Sequence, residues 1–347
     1  MKTNILPELT WRWLDVNAID VDEAGEKIEY RQKLTQGGTV KLDPKMDAWL
    51  EEAPAIGAEV LRENREKLNY RQRVVLADGA DEKWTFSLSA ESPRLVDRQQ
   101  LVVPPACHAR VLLRLTSPDD LEGLRNGTLT VDVGEDGVLD LAILQEFGRQ
   151  TESVLHIVGR VADGGQLNLT QLELGASNSA VHYSCDLLGF DAATDVSGIY
   201  FVDGDRKLDL FYNVRHIGEE SKSDIVVNGA LLDRARKSFR GTINFLEGSG
   251  GSVGDEQEYA VLLSEEVRAI AVPILLCHED DVEGNHAASA GRIDEEQLFY
   301  LMSRGFDRKE AEGLLVEAKM TPTIDRLNDT ALASELRTKL HERIVRR

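Results

Sequence analysis

Cysteine is scarce in this chain of 347 residues: Cys107, Cys185 and Cys277 lie far apart, and no two form a CxxC pair. That argues against a disulfide framework and against a cysteine-rich zinc or cluster site. All three are read as buried, inert thiols in strand-like runs. Positive charge is short as well, with 40 Lys and Arg against 61 Asp and Glu and a formal net charge of −21. Phosphate backbones and anionic lipid surfaces are met by basic surfaces, so neither a nucleic-acid partner nor a membrane partner is expected. No run of 18 apolar residues occurs, and the opening MKTNILPELTWRWLDV has no apolar h-region. A cytoplasmic location is the expectation. The Gly-rich run Gly248-Ser249-Gly250-Gly251-Ser252 lacks the Gly-Lys-Ser/Thr of a phosphate-binding loop. It reads as a flexible connection, and any ATP dependence has to come from a partner.

What is present divides into three textures. Residues 1–100 read as a mixed, mainly helical region. Asp43-Pro44 is a helix start with proline at the first position, and Met46, Trp49, Leu50, Ala53, Ile56, Val60 and Leu61 keep helical spacing around Pro54. Trp84 to Leu88 alternates like a strand, and Trp11 and Trp13 are read as anchors of a short terminal segment. From 101 to 291 short alternating apolar runs recur, such as Val111–Leu113, Leu139–Leu141, Leu167–Leu169 and Ile225–Val227. Their spacing fits a sandwich, a barrel or a coil of stacked strands; Leu172-Glu173-Leu174-Gly175 and Leu187-Leu188-Gly189, read as successive turns, favour a solenoid.

Residues 292–347 read as a helical domain. Asp294 is an N-cap with Gln297 closing a capping box, Gly305 ends that helix, and Asp307 with Glu310 opens the next. Leu298, Leu301 and Met302, with Ala311, Leu314, Leu315 and Ala318, are the expected inner faces of a hairpin. The last helix, from about Asp329 to Val345, carries Leu332, Leu336, Leu340 and Ile344 on one stripe, and the basic residues crowding its end are assigned to the helix dipole. The N-terminal region and the hairpin are the expected caps of the strand coil.

The stretch between strand coil and helices carries a resemblance. Pro273-Ile274-Leu275, Asp280-Asp281-Val282, His286-Ala287-Ala288-Ser289-Ala290-Gly291, Asp294, Gln297-Leu298-Phe299-Tyr300-Leu301 and Ser303-Arg304-Gly305 follow one another in the order of the C-terminal signature of the SufB/SufD family. Phe239-Arg240-Gly241 and Trp11-Arg12-Trp13 extend it more weakly upstream. The resemblance implies a mainly β fold: a right-handed parallel β-helix core, with an N-terminal mixed helical region and a C-terminal helical domain. It implies a SufD-like scaffold subunit in iron–sulfur cluster assembly, not an enzyme, working with a SufB-like subunit and the ATPase SufC. Where SufB has a sulfur-accepting cysteine, this chain has Asp255-Glu256-Gln257-Glu258-Tyr259, and Ala287 replaces the glutamate that follows the histidine in SufB. Both departures point to the SufD side.

His286, read as lying in an acidic turn after Asp280, Asp281 and Glu283, is the candidate metal residue, a transient ligand for iron or a cluster at the subunit interface. Gly284 stands where many SufD members have a cysteine, so no cluster is expected to be held stably by the isolated chain. His182 and His216 resemble histidines that family members carry along the β-helix and are secondary candidates. Arg304, Gly305 and Phe306 are the candidate partner-binding corner for the ATPase. Two other readings stay open: an adaptor without metal ligation, and a self-associating, SufB-like scaffold. A polysaccharide-cleaving β-helix enzyme lacks support in the sequence.

Overall fold

The computed structural model describes residues 1–6, 16–23, 28–30, 41–52 and 56–345. Trp11, Arg12, Trp13, Ala53 and Pro54 lie outside the described residues.

Two eight-stranded parallel sheets form the core, and the chain visits them alternately. A short antiparallel pair, β1 (Lys2–Thr3) and β2 (Ile19–Asp20), precedes them. The first large sheet holds β3 (Tyr70–Val75), β5 (Arg94–Val103), β7 (Gly123–Val133), β9 (Thr151–Val161), β11 (Asn178–Leu187), β13 (Lys207–His216), β15 (Arg236–Phe245) and β17 (Arg268–Cys277). The second holds β4 (Ala80–Ser87), β6 (His108–Thr116), β8 (Val138–Glu146), β10 (Gln166–Glu173), β12 (Ala193–Val202), β14 (Lys222–Leu231), β16 (Ser252–Leu262) and β18 (Val282–Gly291). Each strand pairs with the next strand but one, so every turn of the coil adds one rung to both sheets. This is a parallel β-helix. It begins at Tyr70, some way upstream of the boundary expected at residue 101. Trp84 to Leu88 alternates as expected, but β3 and the start of β4 are masked by polar residues on their outward positions, such as Arg71, Asp81 and Lys83.

In-register stacking explains the regularity. Val111, Leu141, Leu169, Val196 and Ile225 occupy equivalent positions on successive rungs, and all five are buried between the sheets. Side chains alternate across a strand, so one alternate set fills the interior and the other faces outward. The outward set is also apolar, and it determines where the helices go. On the second sheet Leu144, Leu172, Ile199 and Phe201 are covered by α4 (Arg308–Asp325) and α5 (Thr330–Val345), through Val316, Met320, Ile324, Leu336, Leu340 and Ile344. On the first sheet Val154, Val158 and Ala180 are covered by α1 (Pro44–Glu52) and α2 (Ala58–Lys67), through Leu50, Val60 and Leu61.

The helices therefore lie along the flanks of the coil rather than over its ends. A sheet that is apolar on both faces has to be covered on both, and that demand outweighs end-capping. The first rung does receive a lid: Tyr30 packs edge-on against Tyr70 at 5.9 Å, and its hydroxyl donates to the Ser87 carbonyl at 3.3 Å. Among the described residues the last rung, β17 and β18, has one strand neighbour on each sheet and an uncovered second edge.

Several local expectations are corrected. Asp294 caps α3 (Glu295–Ser303), but its carboxylate accepts from Glu296 at 2.7 Å, not from Gln297. Asp307 and Glu310 do form the reciprocal box. The buried face of α4 is Ala311, Val316, Met320 and Ile324, while Leu314 and Leu315 are half-buried and Ala318 is exposed. The reason is length: α4 runs through Pro322 to Asp325, and the sheet contact of its second half sets the rotation. The run Gly248–Ser252 is an ordered corner, where Gly248 N–H donates to Glu279 at 3.0 Å and Gly251 N–H to the Asp281 carbonyl at 2.7 Å. Positive φ at Gly248 and Gly251 is what the turn demands of glycine there.

Candidate functional site: the open end of the β-helix

The inner column of the second sheet changes chemistry at its end. After Ile225 come Glu256 and then His286, in register. Glu256 is fully buried, and neither carboxylate oxygen has a hydrogen-bond partner among the described residues. Burial, reinforced by the neighbouring Glu258, pushes its pKa up to about 8, so the group is largely protonated at neutral pH. Space for it comes from Gly241, where a Cβ would collide with the carboxylate.

Glu258, the next inward residue, accepts from Lys237 Nζ at 2.8 Å and from the Tyr200 hydroxyl at 2.6 Å. All three partners are buried. Deeper in, Gln145 and Gln171 each donate to Glu173 at 2.9 Å, and the Tyr212 hydroxyl donates to Gln171 at 3.0 Å. Burial lifts the Glu173 pKa to about 6. A polar seam thus runs inside an otherwise apolar coil. Sequence reasoning missed it. Glu256 and Glu258 alternate as solvent-facing strand residues usually do, and only the opposing Lys237 hints that the acidic side faces inward.

His286 lies on β18, within a strand rather than in the expected turn, and is exposed together with Ala288 and Ala290 on the same inward-facing set. Inward is outward here, because no further turn follows. On β17 the matching set, Ala269, Ala271, Pro273 and Leu275, is half-buried. Gly284 faces Phe245 and Leu275, and a Cβ there would approach the Phe245 ring to 3.0 Å. Cys277 closes β17 and is exposed, contrary to the buried thiol expected, because the rung that would bury it is absent. Cys107 is half-buried in the turn before β6. Cys185 is buried between the sheets, where desolvation pushes its thiol up to about 12.

The secondary histidines go elsewhere. His182 is buried on the outer face of the first sheet, stacked on Phe211 at 4.7 Å and edge-on to His156 at 4.8 Å. His216 is held between Ser221 at 2.8 Å and Ser223 at 2.9 Å. Burial pushes its pKa down to about 4, and the arrangement is that of a satisfied core histidine. Among the described residues no group of three or more His, Cys, Asp and Glu is arranged to hold a metal.

The corner Arg304-Gly305-Phe306 joins α3 to α4. The Arg304 guanidinium lies over the Tyr300 ring at 5.1 Å, and Gly305 has φ 102° with open space around it. Phe299 is 75% exposed and Tyr300 57%, with Met302 and Phe306 also exposed. Met302 is therefore surface rather than inner face, Leu301 is half-buried, and Leu298 is buried. Four large apolar side chains clustered in the open are unusual for a helix that meets only water.

Fold and site together define a two-sheet parallel β-helix, helix-clad on both flanks, with a histidine on an uncovered terminal rung. Residues 86–319 match the family model described as SUF system FeS cluster assembly, SufBD core domain. The chain belongs to this family. It is 31% identical over 159 residues to the iron–sulfur cluster assembly protein SufD of Bacillus subtilis, a match covering 46% of this chain and 36% of that protein. It is 22% identical over 238 residues to a SufBD family protein of Mycobacterium leprae (68% of this chain, 27% of the relative). A SufBD family protein of Guillardia theta is 26% identical over 151 residues (44% and 31%). The matches thus span about a third of the length of these relatives. No helix among the described residues is long and apolar enough to cross a membrane.

Proposed function

We propose that this chain is a SufD-like, non-enzymatic scaffold subunit of a cytoplasmic iron–sulfur cluster assembly complex. Its terminal rung pairs with a SufB-like subunit, and the α3–α4 corner docks a SufC-like ATPase. The observation that carries the reading is the last rung. Among the described residues, strands β17 and β18 leave one edge of each sheet unpaired, and the side chains that would face the next turn stand in the open. Unpaired edges are liabilities that proteins cover, and adding a strand from another chain is a common way to do so.

His286 then sits at the seam between subunits. A neutral imidazole nitrogen is a ligand for iron, and with no three-ligand group on this chain among the described residues, the partner supplies the remaining ligands. Iron and cluster are cargo here, held transiently. Hydrolysis in the docked ATPase drives the paired scaffold between two arrangements, opening and closing the seam. The same lack of a ligand group favours a second reading, an adaptor that shapes the interface while the partner provides every ligand.

Ala288→Arg tests the pairing surface. Ala288 is exposed on β18, so the guanidinium leaves the core untouched. The variant is expected to melt as wild type does but to elute apart from a SufB-like partner on size exclusion. Co-elution of the variant at wild-type yield would move the interface off this rung.

A further inference from the structure

Away from the terminal rung, the corner turns of the coil and helix α5 enclose a cavity of about 550 Å³. Three guanidiniums meet on its inner wall around one carboxylate. Arg149 reaches Asp203 at 3.3 Å, Arg343 reaches it at 3.0 Å, and Arg206 pairs with the same group. The neutral carbonyl of Leu174 takes further N–H groups from Arg206 at 3.3 Å and Arg343 at 2.5 Å. Asp119 adds a longer pair to the Arg149 guanidinium at 3.8 Å, so two carboxylates face three positive charges.

The other acids lining the cavity lie farther from the guanidiniums or face solvent. Asp119 also accepts from the Arg149 backbone N–H at 3.1 Å, and Asp233 from the Gly204 backbone N–H at 2.9 Å; both are exposed, as is Glu342. Glu146 is held by Lys339 at 2.8 Å and Arg114 at 2.7 Å. Arg206 is only 7% exposed, and its pKa falls to about 8 under burial and the charges of Arg343 and Arg149. Arg343 is also fixed in plane, its guanidinium 4.8 Å from the Phe201 ring centre. Phe147, Leu174, Leu232 and Leu340 supply an apolar wall beside the cationic one.

We propose that this cavity binds a small phosphorylated molecule, its phosphate groups against Arg149, Arg206 and Arg343 and its apolar body against the leucine wall. Preorganised guanidiniums recognise phosphate oxygens with charge-assisted bonds, and a concave site of this size suits a small ligand rather than a protein surface. The inference is independent of the pairing and docking reading above.

The test is titration calorimetry on the full chain with inorganic pyrophosphate and with ADP, at fixed ionic strength. Saturable one-to-one binding of at least one probe is expected. Arg149→Gln, at a half-exposed position, should weaken it about tenfold or more, the equivalent of one charge-assisted contact. Asp203→Asn, which removes the competing carboxylate, should bind as tightly or more tightly. Arg234→Gln, which breaks an exposed pair with Asp205 outside the cavity, should change nothing. The proposal is overturned if neither probe saturates, or if Arg149→Gln and Arg234→Gln weaken binding equally. Binding of an oligoglutamate peptide but of neither phosphate probe would also overturn it, assigning the cavity to an acidic protein segment.

Discussion

Glu256 shows how a single buried group makes the molecule pH-sensitive. Its folded pKa of about 8 lies above the ordinary value of 4.5, so the folded chain holds this proton more tightly than the unfolded chain. Stability from this group is complete at acid pH and is lost as pH rises from about 4.5 to about 8. Glu256→Gln keeps the shape and removes the titration. Denaturant unfolding across this range should show a flatter profile for the variant, which becomes more stable than wild type at the alkaline end. Parallel profiles would mean that a counter-charge neutralises Glu256 in solution. The Asp307–Glu310 capping box and the buried Cys185 were legible in the sequence, but the burial of Glu256 was not, because the facing of a strand residue depends on a register that only the stacked rungs fix.

Among the elements, the helices were the most legible and their docking the least. The stripe Leu332, Leu336, Leu340, Ile344 is buried as its spacing indicates. The basic residues near it do more than complement a dipole: Arg343 pairs with Asp203 and Lys339 with Glu146, fastening α5 to the corners of the coil. In α3 the opposite occurs, and the side chains of Met302, Phe299 and Tyr300 that periodicity would place inside or leave unremarked form an exposed patch. Helical spacing identifies an apolar face but not whether its cover belongs to the same chain. Arg304→Glu probes that patch. It reverses a charge beside Tyr300 without touching the buried Leu298, so circular dichroism and melting should be unchanged while capture of a SufC-like ATPase falls. Undiminished capture would place the docking surface elsewhere, with α5 the next candidate.

At the scale of the whole molecule, stacking is what the local signals could not resolve. Short alternating runs are compatible with several β architectures, and the family resemblance rather than periodicity separated them. The resemblance also located the histidine, but in a turn; the structure extends β18 through it and leaves the rung uncovered. An exposed histidine on the last rung of a coil contributes little packing, so His286→Ala should fold normally. It should also pair normally, since one imidazole is a small part of an interface of about 1,600 Å². The most direct measurement is iron and sulfide content per complex for His286→Ala, with wild-type and variant complexes matched for assembly by size exclusion. The account predicts a deep loss of both, because a methyl group cannot replace an imidazole nitrogen as ligand. Wild-type iron and sulfide in the assembled variant would contradict it and leave this chain an adaptor.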